Sequence, residues 1–279
     1  MIAPLAPAAP DRSGAAPPRR PARWGWTPDR RVVTDVPPYR IHAVEFGHEG
    51  EPLVLLHGLS GSSRWWRRNV AALAEGRRVV VPDVIGFGRT RARGKLPPIA
   101  EISDLLAGWM DRLALAPVDL VGHSMGGQLA VHLAARHPEK VRRLVLVDAA
   151  GIPRPLTPRS LVRFAAEVAP PRRWGDPYFL PTIVGDAVLA GPRNILRAIG
   201  HILGDDVRPL LPTIEVPTLV VWGELDSIIP VEHAREFREG IPDARLAVLR
   251  GAAHNPMVDR PAEFNRLVAD FLRGESAGE

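Results

Sequence analysis

The sequence contains no cysteine and very little lysine. The first absence excludes several kinds of site, and the second means that the positive charge comes from arginine. Without cysteine among its 279 residues, the chain has no disulfide bond, no thiolate metal site and no cysteine nucleophile. Lysine occurs only at Lys95 and Lys140, so nearly all of the basic side chains are arginines. These arginines are scattered along the chain, with no base-stacking aromatic motif beside them. We therefore expect no nucleic-acid partner despite the formal net charge of +5.

Long apolar runs are also missing. No stretch of about 18 apolar residues is present, so we expect no stable membrane insertion. Residues 1–31 are rich in Pro, Ala and Arg, a composition that predicts a disordered N-terminal extension. The pair Arg19-Arg20 precedes Pro21-Ala22-Arg23 and not an apolar segment, which argues against an export signal. A cytoplasmic location is the default expectation.

From about residue 32 onward, apolar strand-like runs alternate with helical stretches. The predicted strands are Ile41–Phe46, Leu53–Leu56, Val79–Val81, Val118–Val121, Leu144–Val147, Thr218–Val221 and Arg245–Leu249. The predicted helices are Arg64–Ala74, Ile99–Leu115, Ser124–Arg136, Val231–Glu239 and Pro261–Leu272. This alternation predicts an α/β fold with a mostly parallel central sheet flanked by helices, formed by residues 32–148 and 217–279.

The alternation is interrupted once, over residues 149–216. This region has several prolines, no convincing strand, and amphipathic stretches near Ser160–Val168 and Arg193–Leu203. A structureless loop of this length is improbable in a compact domain. We therefore predict a small helical insertion, here called the cap, over the carboxyl ends of the strands, where open α/β sheets place their ligands.

A candidate nucleophile lies in the segment Gly122-His123-Ser124-Met125-Gly126. This G-x-S-x-G pattern follows a predicted strand and precedes a predicted helix, as in the nucleophile elbow of a hydrolase. Such a turn strains the backbone of Ser124 and leaves room only for small residues two positions before and after it.

Trp65 and Trp66, at the start of an earlier helix, are expected to belong to the core.

A serine nucleophile needs a base, and the base needs an orienting acid. His254 is the candidate base because it follows the last predicted strand and precedes the last helix. Asp226 is the preferred acid because it lies in the loop after the preceding strand. Glu224 in the same loop and Asp148 at the end of another strand remain alternatives.

The developing oxyanion of an acyl-transfer reaction needs two hydrogen-bond donors. The residue after the nucleophile, Met125, supplies one backbone N–H. The second is expected from Leu59, in the glycine-rich loop that begins with His57-Gly58 after an earlier strand. His57 itself is expected to hydrogen-bond within that loop and shape it.

With these motifs in place, residues 38–273 resemble the α/β-hydrolase fold superfamily. The resemblance rests on Leu55-Leu56-His57-Gly58, Asp83 with Gly86-Phe87-Gly88, Gly122–Gly127, Gly223–Asp226 and His254. It implies a catalytic triad of Ser124, Asp226 and His254, oxyanion donors at Leu59 and Met125, and a cap. It implies no cofactor and no metal, and a structural turn without a catalytic role at Asp83.

The function expected from this resemblance is hydrolysis of a small or medium, mostly apolar carboxylic ester, thioester or lactone through an acyl-enzyme on Ser124. The chain also resembles serine hydrolases that cleave carbon–carbon bonds of ring-fission products, so that activity is an alternative. Members of that group tend to carry tryptophan after the catalytic histidine, whereas Asn255 stands here. A ligand-binding protein without catalysis is a further alternative. The expected partner is a small-molecule substrate; the sequence carries no signal for an oligomeric state.

Overall fold

One eight-stranded sheet forms the centre of the molecule in the computed structural model, which describes residues 26–92, 94–153 and 178–274. The strands are β1 (Arg30–Val36), β2 (Tyr39–Phe46), β3 (Glu51–Leu56), β4 (Arg77–Pro82), β5 (Val118–His123), β6 (Val141–Val147), β7 (Thr218–Gly223) and β8 (Ala244–Leu249). Their spatial order is β1-β2-β4-β3-β5-β6-β7-β8. All pairs from β4 to β8 are parallel, whereas β1–β2 and β2–β4 are antiparallel. The predicted fold class is therefore confirmed.

The sequence pattern located seven of these strands and missed β1. Strand β1 begins at Arg30, within the segment predicted as an extension, and pairs along its whole length with β2. It lies at the edge of the sheet and most of its side chains are partly or fully exposed. An edge strand of this kind lacks the continuous apolar run of a buried parallel strand, which explains why the pattern overlooked it. Residues 1–25 of the predicted extension lie outside the described residues.

Helices cover both faces of the sheet. The helices are α1 (Val70–Leu73), α2 (Ile99–Arg112), α3 (Met125–Arg136), α4 (Leu180–Ala190), α5 (Pro192–Leu203), α6 (Val231–Gly240), α7 (Pro256–Asp259) and α8 (Pro261–Arg273). Helices α2, α3 and α6 contribute to one apolar core, and α1 and α8 to the other. Within the described ranges, no helix is both long and apolar enough to cross a bilayer.

The two cores meet at the central strands, whose side chains alternate between them. Along β5, Leu120 belongs to the first core and Val121 to the second; along β6, Leu144 and Val145 divide in the same way. All four side chains are fully buried. Burial on both faces is why these strands are apolar at successive positions, the pattern that identified them in the sequence.

Two cap helices, α4 and α5, lie between β6 and β7, with Gly191 at their junction. The predicted amphipathic stretch Arg193–Leu203 corresponds to α5, whereas the pattern did not locate α4. The stretch Ser160–Val168 lies outside the described residues. Asn194 of α5 donates a hydrogen bond to the carbonyl of Gly86 at 2.6 Å, one of the contacts that join the cap to the core.

Another contact joins the cap to the helix that follows the elbow. Asp205, just after α5, accepts hydrogen bonds from Gln128 at 2.7 Å and pairs with His132 Nε2 at 2.8 Å. A histidine within an amphipathic helix is ordinarily a surface residue, yet His132 is buried where the loop after α5 contacts it through Asp205.

We predict that Val145→Ala in the doubly buried strand β6 lowers the free energy of unfolding by about 2 kcal/mol, because it removes two methyl groups and leaves a cavity. The matched control is Val33→Ala in β1, whose side chain is 44% exposed. The control should change stability by less than about 0.5 kcal/mol. Urea denaturation of both variants measures the difference, and equal losses would contradict the assigned burial.

Candidate active site

Ser124 lies at the turn between β5 and α3, and its backbone is strained. Its φ of 53° and ψ of −117° fall in a region that residues other than glycine rarely adopt. Such a conformation costs about 1–3 kcal/mol and persists only where the surroundings impose it. Here the Ser124 amide donates to the carbonyl of Val147 at 2.9 Å, and its own carbonyl accepts from Ala150 at 3.0 Å. The end of β6 and the segment that follows it therefore hold the turn.

The glycines around Ser124 are required by close backbone approach. A Cβ atom at Gly122 would lie 2.2 Å from the carbonyl oxygen of Gly126. A Cβ atom at Gly126 would lie 2.4 Å from the carbonyl oxygen of Leu56 on β3. Neither obstacle is a flexible side chain, so a larger residue would force the strand and helix apart. These distances explain the spacing of the motif.

The structure brings together the three residues predicted as nucleophile, base and acid. His254 Nε2 lies 3.1 Å from Ser124 Oγ, and His254 Nδ1 lies 2.8 Å from Asp226 Oδ2. Asp226 follows β7 and His254 follows β8, so all three stand at the carboxyl edge of the sheet. A serine, an imidazole and a carboxylate linked in this order can move a proton from the hydroxyl to the imidazole.

Asp226 is held as an ionised acceptor. Its second oxygen, Oδ1, accepts backbone hydrogen bonds from Ile228 at 2.8 Å and Ile229 at 3.0 Å. Burial raises the pKa of Asp226, but the charge of His254 and the hydrogen bonds from His254 and the Ile229 amide outweigh it and hold the pKa below its usual value. The carboxylate is thus placed to orient the imidazole and to stabilise its charged form.

The other two acids considered from the sequence occupy different positions. Glu224 is exposed, and its Oε2 accepts a hydrogen bond from the Gly251 amide at 2.9 Å. Asp148 is fully buried at the end of β6, and its Oδ1 accepts from the Gly223 amide at 3.0 Å. Neither makes the hydrogen bond to His254 Nδ1 that Asp226 makes.

The two predicted oxyanion donors flank Ser124. Met125 is the first residue of α3, and Leu59 lies in the loop after β3. Outside the regular helix and strand pairing, the backbone hydrogen bonds of the described residues include none that either amide donates. His57 shapes the Leu59 loop: its Nδ1 donates to the carbonyl of Gly58 at 2.8 Å and its Nε2 accepts from the Val84 amide at 2.9 Å.

His123 contributes to the site in a way that the sequence did not reveal. It is fully buried, and its Nε2 donates to the carbonyl oxygen of His254 at 2.7 Å. Burial, assisted by the nearby charge of His254, lowers the pKa of His123 to about 3. The ring is thus neutral and can keep the Nε2–H bond that ties the elbow to the loop of His254. Its place inside the G-x-S-x-G motif was the available signal, but side-chain direction cannot be read from the sequence.

A buried aspartate of the cap was also missed. Asp186 on α4 is fully buried and accepts hydrogen bonds from Ser62 Oγ at 2.7 Å and Trp65 Nε1 at 3.1 Å. It also forms an ion pair with Arg64. A single acid within the otherwise apolar helix Leu180–Ala190 was the signal in the sequence. These bonds attach the cap to the segment just after the Leu59 loop, and they use Trp65, which lies in the core as expected.

A metal site is not favoured by this arrangement. Within the described ranges, Asp148, Asp226 and His254 are the one group of potential metal-binding side chains that lie close together. Both ring nitrogens of His254 are already used, by Asp226 and by Ser124. The donor set therefore fits a proton-transfer site and leaves no imidazole nitrogen for a cation.

Comparison with known proteins gives the same family throughout. A family profile described as alpha/beta hydrolase fold matches residues 51–191 and 190–261. The chain is similar to the dihydrolipoyllysine-residue acetyltransferase component of the acetoin cleaving system of Pseudomonas putida, with 31% identity over 81% of this chain. It spans 65% of that relative's length. It is also 30% identical, over 80% of this chain and 87% of the relative, to the 2-hydroxymuconate semialdehyde hydrolase of Pseudomonas sp. strain CF600.

A solved structure gives a further comparison. The enol-lactonase from Burkholderia xenovorans LB400 superposes with a TM-score of 0.73 and 29% identity. The match covers 87% of this chain and 100% of that one. The shared architecture thus extends over most of this chain.

We predict that Gly126→Ala abolishes the folded elbow, because the added Cβ would meet the backbone of β3. The expected result is loss of soluble protein or a fall of several kcal/mol in the free energy of unfolding. The matched control is Gly108→Ala in the middle of α2, where a Cβ meets nothing within 4 Å. That control should gain about 0.5–1 kcal/mol, because alanine favours helix. Thermal denaturation measures both, and a Gly126→Ala variant of normal stability would contradict the close approach.

Proposed function

Because this chain belongs to the α/β-hydrolase fold family, we propose that it is a serine hydrolase acting on a small or medium, mostly apolar carboxylic ester, thioester or lactone. The observation that carries the proposal is the hydrogen-bonded series Ser124–His254–Asp226 at a strained strand-to-helix turn. Strain is retained at functional sites because the reacting atom needs a defined position.

In the first step of the proposed reaction, Ser124 Oγ attacks the carbonyl carbon of the substrate. His254 Nε2 accepts the hydroxyl proton as the carbon–oxygen bond forms. Asp226 holds the imidazole by its Nδ1–H and stabilises the imidazolium that results. The proton then passes from Nε2 to the leaving alcohol, thiol or lactone oxygen, and an acyl group remains on Ser124.

The negative charge of the tetrahedral intermediate is stabilised by the amides of Leu59 and Met125 in this proposal. Each such donor contributes about 3–4 kcal/mol to the transition state, because it is aimed beforehand at the position of the oxyanion. A backbone donor places no demand on the side chain, which is why an apolar residue serves at either position. These two side chains also suit a mostly apolar substrate.

Water completes the cycle by attacking the acyl-enzyme, with His254 now taking a proton from water and returning it to Ser124 Oγ. Every step uses side chains, backbone amides and water. The proposed reaction therefore needs no cofactor and no metal.

We assign choice of substrate to the cap, residues 149–216. Its helices α4 and α5 are inserted after β6 and are tied to the segment after the Leu59 loop through Asp186. A lactone is one substrate class that merits testing, because the chain resembles an enol-lactonase over most of its length.

We predict that Ser124→Ala lowers kcat for a chromogenic short-chain ester by at least about 10⁴-fold, because no other group supplies the nucleophile. Labelling by a fluorophosphonate probe should disappear in the same variant. Ser103→Ala is the matched control: this buried serine lies on α2, where its hydroxyl bonds to the Ala100 carbonyl. The control should retain activity and labelling. Probe labelling that survives in Ser124→Ala, or wild-type protein that never labels, would contradict the mechanism.

A carbon–carbon bond hydrolase is the second candidate. The observation in its favour is the similarity to a 2-hydroxymuconate semialdehyde hydrolase. That compound contains no ester, so its hydrolysis breaks a different bond. Against it stands Asn255, a buried residue directly after His254, where members of the carbon–carbon group tend to carry tryptophan.

A substrate panel distinguishes the two candidates. We predict that kcat/KM for the best ester, thioester or lactone exceeds that for a 2-hydroxy-6-oxo-dienoate by at least about 10-fold, a difference of about 1.4 kcal/mol in transition-state binding. Each compound is assayed with wild type and with Ser124→Ala to exclude background hydrolysis. A preference for the dienoate would replace the first candidate with the second.

A further inference from the structure

Asp148 is a buried acid without a role in the reaction described above. Its side chain is fully buried at the end of β6, and its φ of 42° is unusual for a residue other than glycine. One oxygen, Oδ1, accepts the Gly223 amide at 3.0 Å. The backbone is therefore bent at this point in a way that sends the carboxyl group toward β7 and its loop.

The second oxygen of Asp148, Oδ2, is buried without a hydrogen-bond donor among the described residues, and Asp226 lies close by. One side-chain donor or acceptor atom of each of Asp148, Asp226 and His254 lies within 4.8 Å of those of the other two. Two buried carboxyl groups this close repel each other when both are ionised, and a hydrogen bond between them requires that one of them carry a proton.

The surroundings decide which acid carries it. Asp226 accepts hydrogen bonds from His254 and from the amides of Ile228 and Ile229, all of which favour its ionised form. Asp148 has one backbone donor, and the charged groups facing it include a second carboxylate, Asp259 of α7. Burial, reinforced by the charges of Asp226 and Asp259, raises the pKa of Asp148 well above its usual value.

We propose that Asp148 is a positioning residue: a neutral carboxylic acid that donates its proton from Oδ2 to the Asp226 carboxylate. Together with the two amides, this donor fixes the orientation in which Asp226 receives His254 Nδ1–H. Asp148 touches no reacting atom and acts through Asp226. The inference rests on the proposed function in one respect, that Asp226 orients His254 during catalysis.

Two substitutions separate this role from mere packing. In Asp148→Asn, the amide oxygen still accepts the Gly223 N–H, and the Nδ2–H group replaces the carboxylic acid as donor to Asp226. In Asp148→Leu, the side chain keeps the same branching and number of heavy atoms, although its methyl groups are bulkier than oxygens, and it loses both hydrogen bonds. Asparagine thus mimics the proposed neutral acid and cannot ionise.

In the kinetic test, Asp148→Leu should lower kcat by about 10-fold or more while KM changes less than about 3-fold. The acid limb of its pH–activity profile should also shift to higher pH, because the pKa of Asp226 rises without the donor. Asp148→Asn should rescue most of the lost kcat and restore the acid side of the profile. Losses as large in Asp148→Asn as in Asp148→Leu would overturn the proposal, since an ionised Asp148 would then be required.

Infrared spectroscopy tests the protonation state without substrate. The wild-type protein at neutral pH should show the carbonyl-stretch band of a protonated carboxylic acid, and the difference spectrum against Asp148→Asn should assign it to Asp148. The control Asp35→Asn, which removes a carboxylate that is 74% exposed, should leave the band in place. A wild-type spectrum without the band would overturn the proposal.

The pH dependence of stability gives a third reading. A carboxyl group with a raised pKa in the folded protein stabilises fully below the unfolded pKa of about 3.9, and this contribution is lost as the pH rises toward the folded pKa. Asp148→Asn removes that loss. Its Tm relative to wild type should therefore increase with pH above about 4, and a constant difference would contradict a neutral Asp148. Neither this measurement nor the infrared test needs turnover, so failure of the proposed hydrolase activity remains distinguishable.

Discussion

The backbone turn at Ser124 is the constraint on which the rest of the site depends. Its positive φ lets the chain leave β5 and enter α3 without an intervening loop, and it brings Gly126 against the carbonyl of Leu56. That proximity places the first residues of α3 beside the loop after β3, where the Leu59 amide lies. A looser turn would separate the hydroxyl of Ser124 from both amides, so the strain and the site share one cause.

Parallel pairing extends this order to residues far apart in the chain. Strands β5 to β8 end at the same edge of the sheet, so the loops after them supply Ser124, Asp226 and His254 to one point. Hydrogen bonds then fix the orientation of each group at that edge. His123 holds the carbonyl of His254, two amides hold Asp226, and the buried acid Asp148 lies close to it at the end of β6. Precise orientation of this kind is what proton transfer requires.

The same physics explains which elements a sequence pattern can find. Continuous apolar runs identified the central strands because burial on both faces demands them. Strand β1 lies at the edge of the sheet and is half exposed, so it has no such run and was not predicted. The burial of Asp148 and Asp186 was not predicted for another reason: a buried acid and an exposed one look alike in sequence. Their burial depends on partners, Gly223 and Ser62, that lie 75 and 124 residues away in the chain.

By itself, the sequence determined the α/β class, the place of the elbow with Ser124, and the candidate base His254, because each follows from local periodicity or from short motifs. Only the tertiary structure decided which acid meets His254, since Asp226, Glu224 and Asp148 all follow strands that end at the same edge. It also decided how His123 and Asp186 join separate loops. The physical reason is that side-chain direction and burial arise from packing between distant segments, which no local pattern specifies.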